Sequence, residues 1–255
     1  VGRVLYTGVS GVRMDLAPDG GALAEMPEAG IRNLVGKRSV SASAVIGMPG
    51  QVSHGAQIEP MQGELTVLVE RGAVESVEEL IAVFRKEFDS RPGREGLLQI
   101  RNLWGELLST RVRLNGAIAE QSVLNSDWEE VRIPVISDKG VWDKPAMSDS
   151  GTVTVTNPGD TFLWPEIVWT GSPQVILPSG MTITLPPASE PRQLSLSPWT
   201  SHEVTDMDGS VDEPLSAVAG LLSLGEGVPE GQTRTYVLGA GARLVWTVQV
   251  LDPWR

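Results

Sequence analysis

Val153-Thr154-Val155-Thr156-Asn157-Pro158-Gly159-Asp160, followed by Trp164-Pro165-Glu166-Ile167-Val168-Trp169-Thr170-Gly171, decides how this chain is read. β-Branched and aromatic residues fill both runs, and the four residues between the first run and the second have the chemistry of a tight turn. The pattern predicts strand, reversal, strand. Toward the carboxyl terminus the same punctuation continues, with strands expected at 152–156, 163–170, 174–177, 181–185, 193–196, 234–238 and 243–250. Strands recurring about every 8–12 residues point to a β-sandwich. Pro214–Leu224 reads either as a short helix or as a loop, because a glycine-rich segment follows it.

Toward the amino terminus the patterning changes. Residues 74–89 are the one strong helix, with Val77, Leu80, Ile81, Phe84 and Phe88 recurring along one face. Ser76 with Glu79 forms a capping box, Glu78 and Glu79 sit at the positive end of the helix dipole, and Arg85 and Lys86 sit at the negative end. Strands are expected at Glu64–Glu70, Gly96–Ile100, Gly105–Leu114 and Trp128–Ile136, where Val131, Ile133 and Val135 alternate with charged or constrained neighbours. Gly8–Gly11, Pro18–Gly21 and Met48-Pro49-Gly50 cut the first sixty residues into short strands and long loops. The polar run Asp138–Gly151 marks a boundary, so the chain divides into 1–145, an α+β unit, and 146–255, the sandwich.

A chain of 255 residues is long enough for two ordinary cores. It has no cysteine, which removes disulfides, thiolate metal sites and thiol nucleophiles from consideration. The formal charge of −12 speaks against a nucleic-acid surface, and the excess is uneven, because residues 146–255 hold 12 acidic and 4 basic residues. Val1–Tyr6 show neither a signal peptide nor a membrane span, so a soluble chain with no membrane partner is expected.

Candidate chemistry is sparse. Asp206-Met207-Asp208-Gly209-Ser210-Val211-Asp212-Glu213 is rich in carboxylates but lacks the glycine and glutamate positions of a calcium loop, so no metal is assigned. Glu78-Glu79 and Glu129-Glu130 are sequence neighbours whose side chains diverge, as expected of surface charges. His54 and His202 have no triad or ligand partner at an informative spacing, and neither a nucleophile elbow nor a phosphate loop is present. No catalytic residue or cofactor is assigned, and the chain is expected not to be an enzyme. Glu166 with Asp160 or Glu203 is the carboxylate pair a hydrolase reading would need. Trp164, Trp169 and Trp199 are the glycan-contact candidates, with burial in the sandwich core or at a subunit interface as the competing account.

The layout resembles a known family. A glycine-punctuated amino half with one amphipathic helix, the Trp128–Val135 strand leading into Asp138–Trp142, then Asn157-Pro158-Gly159-Asp160 with Trp164-Pro165-Glu166 and a terminal Trp246–Trp254 strand, looks like the distal tail proteins of long-tailed bacteriophages, also called minor tail proteins in phages of actinobacteria. The resemblance implies a mainly β protein with a ring-forming amino-terminal α+β domain and a galectin-like carboxyl-terminal sandwich. It implies a virion component, assembled in the bacterial cytoplasm, that forms a hexameric ring. Its partners would be further copies of itself, the tail tube protein, the tail-associated hub protein and the tape measure protein, with a host glycan as an alternative contact. On that reading Arg32, Lys37, Arg38, Arg71, Arg111 and Arg113 are expected at subunit or tail-tube contacts, where they would meet acids of a neighbour.

Overall fold

The computed structural model describes residues 3–16, 24–27, 29–44, 46–47, 49–70, 77–118, 128–200, 203–220 and 225–255, without the side chain of Leu80. Arg71, Ser76 with its capping box, Pro18–Gly21, Met48 and His202 lie outside the described residues. The chain forms two compact units, one made of Val1–Asp143 with Val250–Arg255 and the other of Lys144–Gln249.

In the first unit β1 (Val4–Thr7), β2 (Arg13–Asp15), β3 (Ala24–Glu25), β4 (Ile31–Arg32), β5 (Lys37–Ser43), β6 (Val52–Glu59) and β7 (Met61–Glu70) precede α1 (Val77–Glu87). After the helix come β8 (Gly96–Arg101), β9 (Leu107–Leu114), β10 (Trp128–Ser137) and β11 (Trp142–Asp143). The main antiparallel sheet runs β2-β1-β8-β9-β10-β7-β3, and β4 adds to β7. β10 pairs with β7 along its whole length, from Trp128 opposite Glu70 to Ser137 opposite Met61. That register turns Val131, Ile133 and Val135 into one core with Leu65, Val67 and Val69. α1 lies against β7 and β10 and adds Val77, Ile81 and Phe84 to this core, joined by Phe88 just past its end. Each such side chain contributes about 1.5–3 kcal/mol. Phe88 stacks on Tyr6 with ring centroids 4.1 Å apart, and the Tyr6 hydroxyl donates to the Glu87 carbonyl at 3.0 Å. Burial and the nearby Glu87 charge raise the Tyr6 pKa well above its ordinary value.

In the second unit the strands are β12 (Met147–Ser150), β13 (Thr152–Thr156), β14 (Glu166–Gly171), β15 (Gln174–Ile176), β16 (Thr182–Thr184), β17 (Ala188–Ser195) and β18 (Val204–Thr205). A helical turn, Pro198–Thr200, lies between the last two. α2 (Glu213–Ala219), β19 (Thr233–Leu238) and β20 (Ala242–Trp246) complete this unit, and β21 (Gln249–Val250) follows where the chain returns to the first unit. A five-stranded sheet, β12-β20-β14-β17-β18, faces a four-stranded one, β13-β19-β15-β16. Ile167, Trp169, Leu194 and Leu244 from the first share a core with Val153, Val155, Val175 and Tyr236 from the second, which makes the unit a β-sandwich. Of the two readings of Pro214–Leu224, the helical one holds over Glu213–Ala219 as α2, capped by Asp212, whose carboxylate accepts from the Leu215 N–H at 3.1 Å, while residues 221–224 lie outside the described ones.

One expectation needs correction. The Asn157–Asp160 turn does not join a hairpin, because β13 belongs to the four-stranded sheet and β14 to the five-stranded sheet. The chain crosses between layers there, held by Asn157, which is fully buried and donates to the carbonyls of Thr161 (2.8 Å) and Val228 (2.9 Å) while accepting from the Gly159 N–H (3.0 Å). A buried side-chain amide bonded in this way substitutes for the ladder partners the crossing segment gives up. The Asp138–Gly151 run carries β11 and β12 and buries Trp142 completely.

Candidate assembly surfaces

The first sixty residues hold the element that the sequence did not announce. β5 and β6 form a two-stranded antiparallel ribbon whose strands pair with no other strand among the described residues. Its side chains are exposed along almost the whole length. Opposite residues share a face, so Val40 with Ala56 and Arg38 with Ile58 lie on one side, and Lys37 with Glu59 and Ser39 with Gln57 on the other. A register shift near Ser41 makes His54 the extra residue of a bulge, where its Nε2 lies 2.6 Å from the Ser43 hydroxyl. Toward the tip Ile46 is fully exposed. A lone two-stranded ribbon is marginal in water, and its outer edges carry unpaired N–H and C=O groups.

The foot of the ribbon, by contrast, is fixed. The Trp142 indole N–H donates to the Leu34 carbonyl at 3.0 Å, and the Gly36 N–H donates to the Leu251 carbonyl at 2.8 Å. Gly140, at φ +70°, packs so closely that a Cβ on it would fall 2.2 Å from the Glu59 carbonyl oxygen. The molecule therefore presents an unpaired ribbon on a well-anchored base.

The basic candidates are scattered over this unit. Lys37 and Arg38 lie on the ribbon, Lys37 in an exposed ion pair with Glu59 at 3.7 Å. Arg32 stands on β4 opposite Glu64, and Arg111 is exposed on β9 opposite Leu97. Arg113 is committed within the chain: its guanidinium donates to both Asp138 carboxylate oxygens, at 2.6 and 2.9 Å. That fork holds the Asp138 carboxyl below its ordinary pKa.

The three tryptophans named as glycan contacts separate. Trp169 is a core residue, 1% exposed, with its indole N–H donating to the Pro186 carbonyl at 2.9 Å, and it offers no face to a ligand. Trp199 is 82% exposed on the Pro198–Thr200 turn. Trp164 is half-buried and stacks on Phe162 at 4.3 Å between centroids. Of the hydrolase carboxylates, Glu166 accepts from the Gln193 amide at 2.7 Å. In the acidic loop, Asp206 is used by the backbone, accepting from the N–H groups of Asp208 and Ser210 at 2.9 Å. Among the described residues no group of three or more His, Asp or Glu side chains is placed to hold a metal, and no helix is long and apolar enough to cross a membrane.

Comparison with solved structures identifies the architecture. Superposition on the SPP1 Dit (gp 19.1) protein, described as a paradigm of the hub adsorption apparatus in phages infecting Gram-positive bacteria, gives a TM-score of 0.65 over 98% of this chain and 99% of that one, at 12% identity. The fold is that of SPP1 Dit. The phage P2 baseplate in its activated conformation with Ca matches at a TM-score of 0.56 and 11% identity, covering 97% of this chain and 98% of that chain. The same baseplate with Sr matches at 0.56 and 10% identity, over 97% and 98%. No protein-family model and no curated protein sequence matches the chain. The distal-tail resemblance seen in the sequence layout is thus a likeness of fold along nearly the whole chain.

Proposed function

We propose that this chain is a structural component of a phage tail tip, acting by shape as a ring-forming hub between the tail tube and the host-recognition apparatus. The observation that carries the reading is the unpaired β5–β6 ribbon on its fixed base, in a chain whose whole length follows the fold of a hub protein. A ribbon with open edges gains most by pairing with another chain, and a head-to-tail contact repeated around an axis closes when the last copy meets the first. Closure leaves no edge unpaired, which favours a ring over open aggregates. Val40, Ala56 and Ile58 supply the apolar side of the contact, and Lys37 and Arg38 supply charges that fix its register against acids of the neighbour. The ring is a hexamer in the virion, its partners are the tail tube, tail-associated hub and tape measure proteins, and it performs no covalent chemistry. Arg32 and Arg111 are assigned to the same contacts, whereas Arg113 serves its own fold through Asp138.

The absence of cysteine makes the test clean. Ile46→Cys, labelled with a photo-crosslinker, is expected to yield a ladder of covalent oligomers ending at six chains. Crosslinking that stays within single chains at concentrations where the protein is oligomeric refutes the ribbon as the ring contact.

A further inference from the structure

The turn between β8 and β9 lifts two neighbouring apolar side chains out of the first unit: Leu103 is 81% exposed and Trp104 63%. Asn102, which is buried, fixes this turn from below. Its Oδ1 accepts from the Trp104 N–H at 3.1 Å and the Glu106 N–H at 2.9 Å. Its amide donates to the Glu106 carboxylate at 3.2 Å and to the Pro253 carbonyl at 3.4 Å. Gly105, at φ +81°, closes the turn, its N–H donating to the Asn102 carbonyl at 3.0 Å. The bond to Pro253 brings a second tryptophan to the same place, because Trp254 is the next residue. Trp254 is 43% exposed, and its N–H donates to the Asp252 carboxylate at 3.0 Å. Two residues before Pro253, the Leu251 carbonyl receives the Gly36 N–H, and Gly36 immediately precedes β5. Pro253 therefore lies at most about 7 Å along the chain from the residue that pins the ribbon's foot.

The ribbon alone is a poor anchor. β5 and β6 offer seven and eight residues, split between two faces, whereas a standard interface engages about 20–30 residues a side. Neither strand contains Trp, Tyr or Phe. Binding energy concentrates on a few residues, above all Trp, Tyr and Arg seated in desolvated pockets. We propose that Leu103, Trp104 and Trp254 form the anchor of the contact between copies, buried against the same neighbouring chain that the ribbon reaches. This rests on the ribbon-mediated ring of the proposed function and adds to it the residues that give the contact its affinity. The patch continues the ribbon's surface at its foot, and it sits on a turn whose backbone is already ordered, so its burial costs little conformational freedom. Charged Arg101, Glu106 and Arg255 flank it in the sequence and are exposed, which gives the apolar centre the polar rim of an interface. The net charge of −12 sets the chain against an anionic lipid surface as the occupant.

The test is the concentration dependence of ring formation by the full-length protein, read by native mass measurement. Trp104→Ala is expected to raise the concentration needed for assembly about thirtyfold or more, and Trp254→Ala to raise it as well. The melting temperature of single chains stays at the wild-type value in Trp104→Ala, because the side chain removed is largely exposed, so lost assembly is not lost fold. Trp199→Ala, an exposed tryptophan of the other unit, leaves assembly unchanged. In a chain without cysteine, the Leu103→Cys thiol reads the contact directly: a maleimide modifies it in single chains, and the ring protects it. The inference is overturned if Trp104→Ala assembles as the wild type does, or if Trp199→Ala weakens assembly equally. It is also overturned if the thiol reacts at the same rate in ring and single chain, or is protected only once another protein is added. Val40→Glu, on the ribbon, separates the two readings. Rings lost in Val40→Glu but kept in Trp104→Ala refute the anchor and leave the ribbon contact standing. Rings kept in Val40→Glu but lost in Trp104→Ala refute the ribbon and leave the anchor, and a chain that never assembles removes both.

Discussion

Replacing Gly140 with alanine tests whether the ribbon's foot is held as described. Gly140 has φ +70°, a conformation that costs a residue with a Cβ roughly 1–2 kcal/mol. The added methyl would also fall 2.2 Å from the Glu59 carbonyl oxygen, 3.1 Å from the Glu59 carbonyl carbon and 2.8 Å from Ile58 Cγ2. The closest of these is backbone, so relief requires β6 or the 138–141 turn to move, at a further cost of about 1–3 kcal/mol. Gly93→Ala carries the first cost alone, because Gly93 has φ +81° but nothing within 4 Å of its Cβ position. Urea unfolding should therefore show Gly93→Ala destabilised by roughly 1–2 kcal/mol and Gly140→Ala by about 2–5 kcal/mol. Assembly should fail in Gly140→Ala at protein concentrations where Gly93→Ala still forms rings. Equal destabilisation of the two variants, to within about 0.5 kcal/mol, would refute the close approach as the clamp.

Arg38→Glu and Val40→Glu change exposed ribbon residues and should alter stability by no more than about 0.5 kcal/mol while abolishing the ring, as read by light scattering after size exclusion; rings of normal mass would contradict the ribbon contact. Asn157→Ala leaves the Thr161 and Val228 carbonyls without their donor at the crossing between sheets, and chemical denaturation should show a loss of about 2–4 kcal/mol. Acid should destabilise the fold in a defined direction. The Asp138 pKa is lowered by its hydrogen bonds from Arg113, the Asp212 pKa by the Leu215 N–H and then Arg192, and the Asp89 pKa by Arg91. Carboxyls whose folded pKa is depressed stabilise fully above their unfolded value of about 4, and lose that contribution as pH falls through the folded value. Unfolding midpoints should accordingly fall from about pH 5 toward pH 2, less steeply in Asp138→Asn, and a pH-independent midpoint would count against these pairs.

Where burial imposed a period, the sequence was readable. The helix expected over 74–89 is Val77–Glu87, because Val77, Ile81 and Phe84 must share one buried face, which Phe88 extends just past its end. The Trp128–Ile136 strand is Trp128–Ser137, and most sandwich strands fall within a few residues of their expected places for the same reason. The β5–β6 ribbon escaped because neither face is buried: Lys37-Arg38-Ser39-Val40-Ser41-Ala42-Ser43 shows no firm alternation, since solvent on both sides selects none. The available signal was the apolar Ala44–Gly50 stretch that follows the serine-rich Ser39–Ser43 run. The turn at Asn157 was legible as a turn but not as a change of sheet, since that depends on Val228, seventy-one residues away. Arg113 looked like the other surface arginines until its partner Asp138, twenty-five residues on, came beside it. Trp169 and Trp199 carry the same chemistry, and only the strand-facing core position of one and the open turn of the other separate a buried side chain from an exposed one.

The central claim is that identical copies of this chain close into a ring through the β5–β6 ribbon. Native mass measurement of the purified full-length protein, paired with negative-stain images, tests it most directly. The account predicts a particle six times the 27.3 kDa chain mass with sixfold symmetry, reduced to single chains when residues 39–57 are replaced by a short glycine–serine turn. A sixfold particle that persists without the ribbon, or a wild-type protein that remains monomeric even when supplied with its tail tube, would contradict it.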